Sequence, residues 1–310
     1  MGLALSIHQS LLEPCVTDIG NPRSSSAKPA TAAGTVTIGD DLTVNRMAFG
    51  SMRLTGRGIW GPPADHDECI RTLKRAVELG VDFIDTADSY GPYVAEELIA
   101  EALHPYPEGL VIATKGGYER TGPNKWVTNG RPEHLRAALQ GSLKRLKLDR
   151  IDLWQLHRID DKVPEREQFD TLAEFLREGL VRYVGLSEVD VAAIERARKV
   201  VPIVSVQNKY NVLDRQWGQV LEYCDRNHLP FIPWFPLEAG SIGSGTNGED
   251  ALERVARSHG TSARQVALAW LLAQSPMMLI IPGTSKVEHV EENIAAAALE
   301  LSDEDLRALG

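Results

Sequence analysis

Eight short apolar runs alternate with amphipathic stretches from residue 47 onward, and this rhythm constrains the fold more than any other feature of the chain. The runs are MAFG (47–50), DFIDT (82–86), LVIAT (110–114), IDLWQL (151–156), VRYVGL (181–186), IVSVQ (203–207), PFIPW (230–234) and MLIIPG (278–283). Each is four to six residues long and most are rich in Val, Ile or Phe, as strands buried on both faces should be. Helical patterns lie between them. Asp65 is placed to cap DHDECIRTLKRAVELG, where Ile70, Leu73, Ala76 and Val77 share a face and Gly80 ends the helix. Pro132 opens a second at an early helical position. Residues 164–178, 190–200, 214–228 and 286–298 read as helices, and the last gap holds two, 249–259 and 262–274. Strands alternating with helices pair in parallel through right-handed crossovers. Eight such units in a chain of 310 residues predict one closed (β/α)8 (TIM) barrel domain over 35–310. Ahead of it, TVTIGDDLTVNR alternates around Gly39-Asp40-Asp41 and predicts a β-hairpin cap on the bottom of the barrel. Residues 1–34, with the stretch NPRSSSAKPATAAG, predict a mobile, disordered tail, because small polar residues bury too little surface to order themselves.

Composition excludes several functions. Hydrophobic residues make up 43% and charged residues 25%, enough for a full core. The net charge is −10 and no Lys/Arg run exceeds two, which argues against a nucleic-acid partner. The three cysteines, Cys15, Cys69 and Cys224, lack C-x-x-C spacing, so neither a disulfide framework nor a metal site is expected, and a reducing cytoplasm suits them. No apolar run approaches the ~18–20 residues needed to span a bilayer, and the opening MGLALSIHQSLLEPC reads as a tail and not as a secretion signal.

GRGIWG at 56–61 fits G-x-G-x-x-G, with Asp82 and Asp85 following at about the spacing of a ribose-binding acid. Pro62-Pro63 follows it, not a helix that could present its N-terminus to a pyrophosphate, and it starts in a loop. It reads instead as a flexible loop over the barrel mouth.

In a barrel the chemistry sits at the C-terminal strand ends. IDTADSY puts Asp85 at the end of the second strand and Tyr90 just after it. IATKGG puts Lys115 at the end of the third, and WQLHR puts His157 at the end of the fourth. These ends are neighbours, so the four side chains can converge. An ammonium beside a phenol favours the phenolate, so Lys115, held by Asp85, is expected to lower the pKa of Tyr90 from its usual ~10. His157 can donate to a carbonyl oxygen that gains charge as hydride arrives, and Tyr90 can supply the proton. Taken singly, each residue has an ordinary structural explanation; the joint placement carries the inference.

Together with V-G-L-S at 184–187, V-Q-N-K-Y-N at 206–211 and I-P-G-T-S-K…E-E-N at 281–293, these segments resemble the aldo-keto reductases from about Thr35 to Leu301. The resemblance implies a (β/α)8 barrel binding NAD(P)H at its mouth, with Asp85, Tyr90, Lys115 and His157 as the catalytic tetrad. It implies that Ser187 and Gln207 hold the nicotinamide amide, with Glu188 standing where the family has Asn. Trp234, in the run Trp234-Phe235-Pro236-Leu237, takes the place of the residue that stacks on the nicotinamide, with Phe235 and Leu237 beside it. Gly50, Ser51 and Met52, after the first strand, and Asp85 also belong to the cofactor set. Gly283, Thr284, Ser285 and Lys286 lead into a helix whose positive end suits a phosphate. His289 stands where the family often has Arg, and Glu292 and Asn293 match an adenine-contacting pair. Lys286, His289 and the hydroxyls favour NADP(H) over NAD(H), without excluding the latter.

Substrate choice is expected from the mouth loops, where Met52, Trp60, Tyr118 and Trp126 join Tyr90 and His157. The chain ends soon after LSDEDLRAL, so a long closing loop is not expected, and the site should be open to varied aldehydes or ketones. The WGPP segment resembles a bacterial branch that includes pyridoxal reductases. The alternative is a cofactor-binding interaction subunit, like those of some membrane channels, with little turnover. Oligomeric state is left open, and a monomer is compatible with the sequence.

Overall fold

The structure, a computed structural model, describes Met1, residues 28–238 and residues 249–310. Two strands, β1 (Thr35–Ile38) and β2 (Leu42–Asn45), form the expected hairpin, pairing antiparallel from Thr35↔Asn45 to Ile38↔Leu42. Alternation puts Val36, Ile38, Leu42 and Val44 on one face. They pack with Phe83, Val111, Leu153, Ile232 and Leu279, in or near the N-terminal parts of the barrel strand segments. The hairpin therefore closes the bottom of the barrel, and roughly 25 cal/mol per Å² of apolar surface removed from water favours that seat.

Six barrel strands form one parallel sheet: β3 (Phe49–Gly50), β4 (Phe83–Asp85), β5 (Val111–Gly116), β8 (Ile151–Leu156), β9 (Val181–Ser187) and β10 (Ile203–Gln207), in that spatial order. The seventh and eighth apolar runs close the ring through single parallel bridges, Val206↔Phe231, Phe231↔Met278 and Met47↔Ile280. Pro230, Pro233 and Pro282 interrupt these runs, and a residue without an N–H cannot sustain a ladder. Arg46 braces the seam. Its guanidinium donates to the carbonyls of Met278 at 3.0 Å, Leu272 at 2.5 Å and Ser275 at 2.6 Å.

The helices outside the ring follow their sequence signals. In α1 (His66–Glu78), Asp65 accepts from the Glu68 N–H at 3.0 Å as the expected cap, and Gly80 turns the chain with φ +100°. Pro132 begins α3 (Pro132–Leu146), and α4 (Glu165–Arg177), α5 (Val191–Arg198), α6 (Gly218–Arg226), α7 (Glu249–His259), α8 (Ala263–Gln274) and α9 (Val287–Ala295) fall where expected. Three elements had no sequence expectation: α2 (Val94–Leu103), α10 (Asp303–Leu309) and the hairpin of β6 (Tyr118–Gly122) and β7 (Lys125–Thr128).

The expected tail over 1–34 lies mostly outside the described residues, and its last part departs from the expectation. Pro29–Ala33 form a 3-10 turn, Ala30 and Ala33 are buried, and the Ala30 N–H donates to the Leu79 carbonyl at 2.9 Å. Proline pre-sets the turn and alanine loses no rotamer freedom, so this short segment orders against the end of α1 at small entropic cost.

Candidate active site

The four residues singled out at the strand ends come together. Lys115 Nζ donates to Asp85 Oδ1 at 2.6 Å and to the Thr86 carbonyl at 2.8 Å. It lies 5.1 Å from the centre of the Tyr90 ring. The Tyr90 and His157 rings meet edge-on with centroids 6.0 Å apart. All four side chains are buried. Asp85 Oδ2 accepts from Gln207 Nε2 at 2.8 Å and from Gln155 Nε2 at 3.4 Å, so the carboxylate is satisfied on both oxygens. Among the described residues nothing hydrogen-bonds the Tyr90 hydroxyl or His157 Nε2. Ser89 Oγ faces His157 Nδ1 at 3.4 Å. A hydroxyl donating there leaves the ring proton on Nε2.

The electrostatics correct one expectation. Burial, then the charge of Asp85, pushes the Tyr90 phenol well above its ordinary value, and Lys115 does not reverse this. The ammonium is committed to Asp85 and Thr86, and burial lowers its own pKa. Burial, then Lys115, drives the His157 imidazole well below its ordinary range, so it is neutral near pH 7. A protonated phenol beside a neutral imidazole suits proton donation, because an alkoxide is a far stronger base than a phenolate.

The substrate candidates wall one side. Tyr118 and Trp126 stand across the β6–β7 hairpin, with ring centroids 5.3 Å apart, and lie 4.7 Å and 6.3 Å from the His157 ring. Met52, Ile59 and Trp126 pack against Tyr90 and Ala87, which puts Met52 on this wall. Arg120, not foreseen, places its guanidinium 3.6 Å from the Trp126 ring and 5.7 Å from that of Trp60, and donates to the carbonyls of Ser89 and Gly58. The glycine-rich loop expected to be flexible is thereby tied down. Its Gly61 N–H also donates to Gly91 O at 2.6 Å.

On the other side stands Glu188, at the position where the family has Asn. With φ +55° it turns its carboxylate to accept from Trp234 Nε1 at 2.7 Å and from the Lys209 N–H at 2.6 Å. That fixes the half-buried Trp234 ring, which meets Phe235 edge-on at 4.9 Å. Leu237 is partly buried nearby in the chain. Arg158, also unforeseen, donates to Ser187 Oγ at 2.9 Å and lies 5.8 Å from both the Trp234 and Tyr118 rings. Gly50 and Gly283 abut, since a Cβ on Gly283 would meet the Gly50 carbonyl oxygen at 2.4 Å. The buried Ser51 hydroxyl has no partner among the described residues.

Around the start of α9, Thr284 Oγ1 accepts from the Lys286 N–H at 3.1 Å and faces His289 Nδ1 at 3.4 Å. Ser285 is partly buried in the same turn. Glu68 Oε1 accepts from the Val287 N–H at 3.1 Å, so an anion already stands at this helix end. Asn293 is buried, whereas Glu292 is engaged by Ser262 Oγ at 2.6 Å.

The chain is similar to several known proteins. The chain is 54% identical over 282 residues to an uncharacterised oxidoreductase of Schizosaccharomyces pombe, covering 91% of this chain and 90% of the relative. It is 39% identical over 284 residues to pyridoxine 4-dehydrogenase of Escherichia coli K12, covering 90% and 98%. Among solved structures, the glycerol dehydrogenase of Gluconobacter oxydans superposes with a TM-score of 0.82 at 27% identity, covering 90% of this chain and 94% of that one. The aldo/keto reductase family model matches residues 46–310, and the chain belongs to that family of oxidoreductases.

Proposed function

We propose that this protein interconverts carbonyls and alcohols with NADP(H), reducing aldehydes or ketones with Tyr90 as general acid and oxidising alcohols in reverse. One observation carries the reading: a buried phenol, held protonated and without a protein partner among the described residues, faces the same space as a neutral imidazole. NADPH, when bound, would supply the hydride. His157 Nε2–H donates to the carbonyl oxygen and orients it, and Tyr90 gives its proton to the oxygen as charge develops there. Lys115, anchored by Asp85, keeps a positive charge beside the phenol and offsets the phenolate that proton transfer leaves.

The residues fit the cofactor. Trp234 offers a ring face fixed by Glu188, and Ser187 and Gln207 pair at the ends of adjacent strands. Gly283, Thr284, Ser285, Lys286 and His289 surround a helix end that already attracts an anion, which favours NADP(H) over NAD(H). Glu292 and Asn293 lie one turn further along.

The aromatic wall of Tyr118, Trp126 and Trp60 suits a flat ring, and the relationship to a pyridoxine dehydrogenase supports pyridoxal-like carbonyls among the substrates. Buried free thiols at Cys69 and Cys224 suit a reducing compartment such as the cytoplasm. No described helix is long and apolar enough to cross a membrane. The test is a panel of pyridoxal and simple aldehydes and ketones assayed with NADPH and with NADH. Turnover with NADPH on members of the panel is expected. Cofactor binding without turnover on any of them would overturn the reading in favour of an interaction subunit.

A further inference from the structure

Glu68 sits in the first turn of α1, where Asp65 already satisfies its backbone N–H. Its side chain reaches out of the helix. It spans to α9, where Oε1 accepts from the Val287 N–H at 3.1 Å, while Oε2 accepts from Arg71 Nη2 at 2.7 Å and Nε at 3.2 Å. Val287 is the first residue of α9, so its N–H is a helix-end donor without a partner inside the helix. One carboxylate thus bridges a helix N-terminus and a guanidinium. A phosphate monoester, with three terminal oxygens and nearly two charges, can bridge the same two donors.

We propose that Glu68 and Arg71 form a cofactor-selecting pair, in which Glu68 stands in for the 2′-phosphate of NADP(H) in the free protein and that phosphate displaces it and takes over Arg71. This rests on the reading that the phosphate end of the cofactor seats at α9. Arg71 supplies the guanidinium that His289 does not. Its side chain is 59% exposed against 17% for Glu68, so it is free to follow the incoming anion. Arg71, then the Val287 N–H, holds the Glu68 carboxyl below its usual range, so it competes as an anion throughout neutral pH. A carboxylate that only capped α9 would treat NADP(H) and NAD(H) alike, because the two cofactors differ at the 2′-phosphate alone.

The experiment titrates NADP⁺, NAD⁺ and 2′-AMP into the full-length protein and two variants by calorimetry, with thermal melts confirming that each variant is folded. Glu68→Gln keeps an oxygen for Val287 and removes the charge. NADP⁺ and 2′-AMP should bind about fivefold more tightly to it, with NAD⁺ unchanged. Arg71→Met should bind NADP⁺ and 2′-AMP about fivefold more weakly, again with NAD⁺ unchanged. Equal shifts for both dinucleotides, or no shift in either variant, overturn the pair as a selector while leaving the cofactor site intact. A wild-type protein that binds neither NADP⁺ nor 2′-AMP overturns the cofactor reading itself.

Discussion

Lys115 and Asp85 form an ion pair at 2.6 Å with side-chain exposures of 0% and 2%. Burying two charges is costly, and removing one partner leaves the other uncompensated. Asp85→Asn removes the charge opposite the ammonium and leaves one oxygen where Lys115 and Gln207 each had their own, so one of the two donors loses its acceptor. The expected loss of stability is roughly 3–5 kcal/mol. Urea unfolding measures it, and a loss below about 1 kcal/mol would contradict the pairing. The double variant Asp85→Asn/Lys115→Met should lose less than the sum of the singles, because the two residues are coupled.

Tyr90→Phe tests the acid directly. The ring is buried and its hydroxyl holds no described protein group, so the fold and NADPH affinity should persist. Turnover should fall by about 10²–10⁴-fold, the usual contribution of general acid catalysis. The pH dependence follows from the raised phenol pKa. A group that keeps its proton above its ordinary value is not lost as an acid when pH rises through neutrality. Carbonyl reduction should show no inflection from Tyr90 between about pH 6 and 9, since even an ordinary tyrosine titrates near ~10. An inflection in that window that disappears in Tyr90→Phe would refute the assignment.

The cluster was legible because Asp85, Lys115 and His157 stand at the ends of three successive apolar runs and Tyr90 follows one of them closely, so the barrel brings the four together. The electrostatic state was not. Whether Lys115 or burial governs Tyr90 depends on how the ammonium is engaged, and Asp85 and Thr86 take its hydrogen bonds while the phenol is buried. Helix α2 carried no capping residue to announce it, since Tyr93 enters in the left-handed region with no side-chain cap, and six of its ten residues are buried. The β6–β7 hairpin did leave a signal, alternating Y-E-R-T and K-W-V-T around Pro123-Asn124, but a strand-then-helix reading passed over it. Arg158 and Glu68 act through partners 29 and 219 residues away, which no local pattern can show.

Gly91 holds the Tyr90 loop. Its φ of +108° is strained for any residue with a side chain, and a Cβ there would meet Val94 Cβ at 2.4 Å. Gly109 has φ +81° with nothing within 4 Å of its Cβ position. Gly109→Ala therefore isolates the backbone cost, about 1 kcal/mol, while Gly91→Ala adds overpacking of roughly 1–3 kcal/mol. Because Gly91 follows Tyr90 directly, turnover should fall in Gly91→Ala and hold in Gly109→Ala. Equal melting temperatures and equal kcat for the two variants would show that the Val94 contact does not constrain the loop.

Asp88 makes stability depend on pH. It is buried, its Oδ1 has no partner among the described residues, and burial followed by the charge of Glu96 pushes its carboxyl well above the ordinary value. Arg145, the Ser89 N–H and Lys115 oppose this without reversing it. The folded state therefore keeps the Asp88 proton at a pH where the unfolded chain, with a pKa of about 3.9, has released it. The stability that Asp88 contributes is fully present below that value and is lost as pH rises through its folded pKa. Asparagine has nearly the same shape and no charge to bury. Asp88→Asn should thus gain on the wild type as pH rises from 4 to 8, with the difference in unfolding free energy widening across that range. Urea titrations at pH 4, 6 and 8 measure it. A difference that stays constant or narrows would mean that the Asp88 carboxylate is better accommodated than its neutral form.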